Sequence, residues 1–230
     1  MVIYRTWGLP RDGSWKALKG RRREIFSFLA YNDINALLGM IPKQFGVVLL
    51  GYFRNPTEVG YYKMATSIGN MVGYLVGPLQ SVTYPELGRL WGLGHRKALR
   101  QEARRLAIQF GLPLGLAVLV GGAFLPYALP LLVGNEYVPA VISAQLLLAG
   151  SAIWLALFWL RPLFLARGWI KEWTKCIGLF ALCNLMGWLV IVPKHGYLGM
   201  SAWWLVSTAT AYWIPPVIFL LRMARDEKKG

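Results

Sequence analysis

Histidine and cysteine are almost missing from this sequence, with two of each among 230 residues. His95 and His195 stand in polar connections far apart, and no His, Cys, Asp and Glu grouping has metal-site spacing. Cys176 and Cys183 share one apolar stretch. On a helix, seven residues separate them by about 10.5 Å along the axis, beyond disulfide reach, so they read as packing residues. Acids are scarce, ten against 25 Lys and Arg. A paired-carboxylate site, a phosphate-cradling ATPase loop and a nucleophile elbow are all missing. Neither an enzyme nor an ATP-driven pump is expected, and no cofactor is implied. The first 24 residues hold no apolar stretch of the kind a cleavable signal needs. The strict apolar/polar alternation of a membrane barrel is absent as well.

What is abundant is apolar sequence in long runs. Hydrophobic residues make up 56% of the chain and mean hydropathy is +0.44, above the usual soluble domain. Six segments approach the roughly 20 apolar residues a transmembrane helix needs: 34–53, 61–84, 106–126, 138–160, 176–193 and 198–221. Uninterrupted runs of this kind argue for helices, because lipid leaves no other way to satisfy the backbone of a single segment. The expected organisation is an all-α membrane protein with a basic linker at 1–24, a transmembrane lobe at 25–221 and a short tail at 222–230. The 11 Trp, 11 Tyr and 10 Phe suit membrane interfaces.

The excess of positive charge has a pattern. Of the 25 Lys and Arg, 21 fall before the first run, between the second and third, between the fourth and fifth, or after the sixth. These connections share one side, so the positive-inside rule makes both termini cytoplasmic. Basic loops beside anionic lipid explain the net charge of +15 without a nucleic-acid partner. His95–Arg105 reads as a basic amphipathic helix lying on the headgroups.

Several residues stand out within the runs. Ala65, Gly69, Gly73, Gly77 and Ser81 recur every fourth position, a spacing that lets helix backbones approach closely. The stripe suits either simple packing or a surface that moves between states. Lys43 sits about ten residues from either end of the first run, or ~15 Å along a helix. Burying it costs about 2.5–3.5 kcal/mol on insertion scales. Pro42 and Gly46 flank it and weaken the helix. A cation at a weakened helix near the midplane is the pattern of a transport site; a structural ion pair with Asp33 is the alternative. Asp33, Gln44, Lys63, Asn70 and Arg161 are further candidates for contact with an anionic substrate. Interface anchoring, snorkelling or interhelical bonding would account for the same residues.

Short stretches also resemble a known family. They are LGYF at 50–53, EVGYYKMA at 58–65, PELGRL at 85–90 followed by GHRK at 94–97, LVGNEY at 132–137 and GYLGMSA at 196–202. Their order resembles the lipopolysaccharide and O-antigen flippases of the polysaccharide transporter family, within the MATE-like superfamily of multidrug and oligosaccharidyl-lipid exporters. The resemblance implies a fold of two six-helix lobes, with this chain matching the second lobe alone. It also implies a bacterial inner-membrane location and an undecaprenyl-pyrophosphate-linked oligosaccharide as substrate. A cavity lysine such as Lys43 would then meet the pyrophosphate. The acidic residue frequent in that region of the family is replaced here by Lys43-Gln44. The resemblance further implies a partner, either a separate N-terminal lobe or a second copy, and makes the chain a truncated frame, a split subunit or a fragment. A multidrug-type exporter and a non-transporting scaffold for polysaccharide assembly are the rival readings.

Overall fold

The computed structural model describes residues 22–211 with 214, 215 and 217, leaving out the side chains at 22–25, 28 and 41–43. Apart from the first turn of α1, the linker expected at 1–24 lies outside the described residues, as does the tail expected at 222–230. Every regular element among the described residues is helical. The order is α1 (Arg22–Phe53), α2 (Pro56–Gly92), α3 (Arg96–Leu106), a π turn (Ala107–Gly111), α4 (Leu112–Leu132), a 3-10 turn (Asn135–Tyr137), α5 (Ala140–Ala156), α6 (Leu160–Ala166) and α7 (Ile170–Ala211).

Local chemistry sets several boundaries. Asn55 caps α2, its side-chain oxygen accepting from the Glu58 backbone N–H at 2.9 Å, with Pro56 following at the helix start. Gly94 closes α2 with φ +73°, and Gly134 turns the chain after α4 with φ +119°, a region that favours glycine.

Four helices, rather than the expected six, are long and apolar enough to cross a membrane among the described residues: Leu29–Phe53, Arg96–Leu132, Ala140–Ala166 and Ile170–Ala211. The second expected span lies in α2, which has ample length at 37 residues but too little apolar density. Lys63, Thr66, Ser67, Asn70, Gln80, Ser81 and Thr83 dilute it. The fifth and sixth expected spans are one element, α7, broken at Gly196. Its two stretches fold back on each other. The Trp203 indole N–H donates to the Cys183 carbonyl at 3.2 Å, and Ser207 donates to Asn184 Oδ1 at 2.9 Å. In a straight helix, residues 20 apart would lie about 30 Å from each other. The turn is possible because Gly196 adopts φ +56°, ψ −144°. The end of the sixth expected span, at 218–221, lies outside the described residues.

Contacts give the directions of packing. Along α2 and α5–α6, Gly69 meets Leu147 and Gln80 meets Phe158, so these helices run parallel. Along α4 and α5, Gly111 meets Ala156 and Gly122 meets Leu148, so these run antiparallel. Helix α1 runs alongside the first stretch of α7, with Tyr31 near Lys171, Leu38 near Gly178 and Arg54 near Pro193. The Ala140–Ala166 helix is the axis of the bundle, 56% buried in its most apolar window against 17–28% for the other three. Small residues let it sit there: Ala140, Ser143, Ala144, Gly150, Ser151 and Ala152 are buried.

The expected basic helix at 95–105 does not stand apart from the next span. Helix α3 runs through the π turn into α4 as one rod, with helical backbone angles at both junctions. Its apolar residues Leu99 and Ala103 are buried, Leu99 packing with Leu87, Leu90 and Leu160. The π turn has a geometric cause. Leu99, Ala103, Gly111 and Gly115 are buried at multiples of four positions, which drifts about 160° round an ideal helix. One extra residue in the turn absorbs about 100° of that drift.

Candidate functional site: a cation at the broken helix

The axial helix breaks at Leu157, where φ is −107° and ψ is 17°. Three residues later α6 begins, and its second residue is Arg161. The half-buried guanidinium reaches in two directions. Nη1 donates to Gln80 Oε1 of α2 at 3.1 Å, and Nη2 donates to Asn32 Oδ1 of α1 at 3.5 Å. Gln80 also donates from Nε2 to the Phe158 carbonyl, 3.4 Å away at the break itself. Arg161 thus links α6 to both α1 and α2. Its described partners are neutral amides, so its positive charge is not cancelled by them.

The other residues singled out from sequence lie at different depths. Lys43 belongs to α1, but its side chain is outside the described residues. Gln44 is exposed on α1, 12 residues from Asn32, or about 18 Å along the helix. Asp33 is exposed beside Asn32. Lys63 and Asn70 are exposed on α2. Lys63 is 17 residues from Gln80, about 25 Å, and its carbonyl accepts from the Thr66 and Ser67 hydroxyls. Arg161 is therefore the member of the set around which polar groups from distant segments gather, while Gln44, Lys63 and Asn70 lie elsewhere along α1 and α2.

The small residues of α2 divide by position. Ala65 is buried, and a Cβ at Gly69 would lie 3.6 Å from Leu147 Cβ. Nothing lies within 4 Å of a Cβ at Gly73 or Gly77, and Ser81 is exposed with its hydroxyl donating to the Pro78 carbonyl. Steps of four residues rotate about 40° each, so the stripe winds from the packed side of α2 to its open side. The closest backbone approach is on another helix. A Cβ at Gly111 would lie 2.5 Å from the Ala156 carbonyl oxygen, and one at Gly115 would lie 3.0 Å from that of Ala152. The same four-residue spacing marks 111 and 115 in the sequence, so the signal was present without saying which stripe packs.

Two further clusters escaped the sequence reading. At the end of the bundle holding the α1–α2 turn, Arg54 donates to the Val192 and Pro193 carbonyls at 3.3 and 3.0 Å. Glu58 Oε2 accepts from the Tyr197 N–H at 3.2 Å. Together they clasp both sides of the α7 turn. At the opposite end the buried Arg167 guanidinium lies 4.4 Å from the Trp91 ring and 4.0 Å from the Trp169 ring. Cation–π attraction strengthens when such a group is desolvated, and here it pins the α6–α7 turn to α2.

Long apolar helices packed round an internal axis define an all-helical, multi-pass membrane protein. The family described as polysaccharide biosynthesis protein matches residues 1–91, spanning α1 and nearly all of α2. Over those residues the chain is shown to resemble that polysaccharide biosynthesis family, and the match supports a role in polysaccharide synthesis or transport. No curated protein and no solved structure matches the chain.

Proposed function

We propose that this chain forms one lobe of a flippase that moves an undecaprenyl-pyrophosphate-linked oligosaccharide across the bacterial inner membrane, by alternating access, during polysaccharide biosynthesis. The observation that carries the reading is Arg161, a half-buried cation at a helix break, tethered to α1 and α2 through neutral amides. A planar guanidinium presents paired donors that match phosphate oxygens. At about 4 Å and an effective dielectric near 20, such a charge pair is worth about 4 kcal/mol before desolvation. Broken helices that carry polar groups inside a bundle are a recurrent way to build a transport site.

In this reading Lys43 supplies a second cation along the passage, and Gln44, Asp33, Lys63 and Asn70 line it for the sugar. The other wall comes from a second lobe, either a separate protein or a second copy of this chain. Both termini face the cytoplasm, where the lipid-linked precursor is loaded.

The test is uptake of radiolabelled undecaprenyl-pyrophosphate-linked saccharide into proteoliposomes holding the assembled transporter. Arg161→Gln is expected to lower the rate at least tenfold, and Arg161→Lys to retain part of it. A scaffold that does not transport would show no uptake in any variant. Undiminished uptake by Arg161→Gln would remove Arg161 from the substrate path.

A further inference from the structure

The Arg161 site stands on a carbonyl that proline leaves bare. At the break, the Leu160 N–H donates to the Leu157 carbonyl and the Leu163 N–H to the Trp159 carbonyl. The helical donor to the Phe158 carbonyl between them would be the N–H of residue 162, which is Pro162. Gln80 supplies that donor from α2, its Nε2 lying 3.4 Å from the Phe158 oxygen. Gln80 stands one turn from Val76 and Thr83, both buried, so its side chain leaves α2 on the packed side. The same arrangement recurs in α4. Pro126 leaves the Gly122 carbonyl without a helical donor, and Gln145 of α5 donates to it from Nε2 at 3.0 Å.

Serving the carbonyl fixes the other half of the amide. A flipped Gln80 would set oxygen against oxygen at Phe158 and nitrogen against nitrogen at Arg161. Oε1 therefore faces the guanidinium, 3.1 Å from Nη1. The pairing is neutral on the glutamine side. Two of the five guanidinium donors are engaged by Gln80 and Asn32, and the rest stay available to an anion with the positive charge intact. A glutamate at position 80 would have no proton for the Phe158 carbonyl and would bind the guanidinium as an ion pair. An asparagine would fall one methylene short.

We propose that Gln80 is a positioning residue of the anion site: it takes its orientation from the carbonyl that Pro162 leaves bare and holds the Arg161 guanidinium between α1 and α2 without cancelling its charge. The proposal rests on Arg161 meeting the pyrophosphate of the lipid-linked substrate. Gln145 serves a freed carbonyl among apolar neighbours, Leu119, Ala123, Leu148 and Ala149, so it separates positioning of a cation from repair of a helix.

The measurement is the concentration dependence of substrate uptake by proteoliposomes holding the assembled transporter, with melting in detergent recorded for each variant. Loss of a bond to a charged group costs about tenfold or more, so Gln80→Leu is expected to raise KM at least tenfold. Gln80→Glu is expected to raise it further, because its carboxylate neutralises the cation, with melting close to that of the unmodified chain. Gln145→Leu is expected to lower the melting temperature about as much as Gln80→Leu and to leave KM unchanged. Unchanged KM in both Gln80 variants, with uptake lost in Arg161→Gln, overturns the role of Gln80 and leaves Arg161 in the path. An equal rise of KM in Gln80→Leu and Gln145→Leu reduces Gln80 to helix repair and overturns the proposal as well. Undiminished uptake by Arg161→Gln removes the anion site itself, and Gln80 with it. If Gln80→Leu does not fold, Gln80→Glu decides: a KM kept at the unmodified value overturns the positioning.

Discussion

A methyl group added at Gly111 has a calculable consequence. It would lie 2.5 Å from the Ala156 carbonyl oxygen, 3.1 Å from its carbon and 3.3 Å from its Cα. All three are backbone atoms, so no side chain can swing away. Cβ atoms essentially never approach closer than 3.0 Å, so α4 and α5 must separate by about 0.5 Å or more. Overpacking of a tight interior costs about 1–3 kcal/mol, and Ala is favoured over Gly in a helix by up to about 1 kcal/mol. The net expectation is a loss of about 1–2 kcal/mol, or several degrees of melting temperature for a chain of this size. Gly121 provides the control. It lies on the same helix, and nothing stands within 4 Å of its Cβ position. Gly121→Ala should keep or slightly raise the melting temperature, measured by intrinsic fluorescence in one detergent. Equal melting of the two variants would refute the close approach of α4 to α5.

Other expectations follow from single sites. Gly196→Ala places a side chain at φ +56°, ψ −144° and against the Glu58 carboxylate; a cost of about 1–3 kcal/mol is expected, read as lowered thermal stability. Asn184 is fully buried and bonds Ser207 across the α7 hairpin. Ser207→Ala should cost about 0.6 kcal/mol, and at most about 1.7, as for other bonds between membrane helices, and much less in an Asn184→Ala background. In a Cys176→Ser/Cys183→Ser background, Gln101→Cys and Lys194→Cys should react with a membrane-impermeant maleimide from opposite sides of a vesicle. Labelling of both from one side would overturn the bundle's direction.

The apolar runs were legible because hydropathy is local. The first expected span, 34–53, falls inside α1, and the fourth, 138–160, overlaps α5 and the start of α6. Arg161 was legible as a candidate because a cation beside a proline at the end of an apolar run is conspicuous. Its partners were not: Gln80 and Asn32 lie 81 and 129 residues away, and alone they read as interhelical glue and as an interface residue. Apolar density in α2 was overestimated because polar residues spread singly through a long run interrupt no stretch long enough to notice.

Sequence alone determined that this chain is helical and built for a bilayer, since composition and run length decide which solvent each segment tolerates. It also marked the turns at Gly134 and Gly196, because glycine permits the backbone angles they need. Tertiary structure decided which of two similar glycine series brings backbones together, and that the basic helix continues into the next span as one rod. It likewise chose the arginine that gathers polar partners from two other helices. Those outcomes depend on how helices rotate against one another, and rotation is set by contacts between residues far apart in the chain.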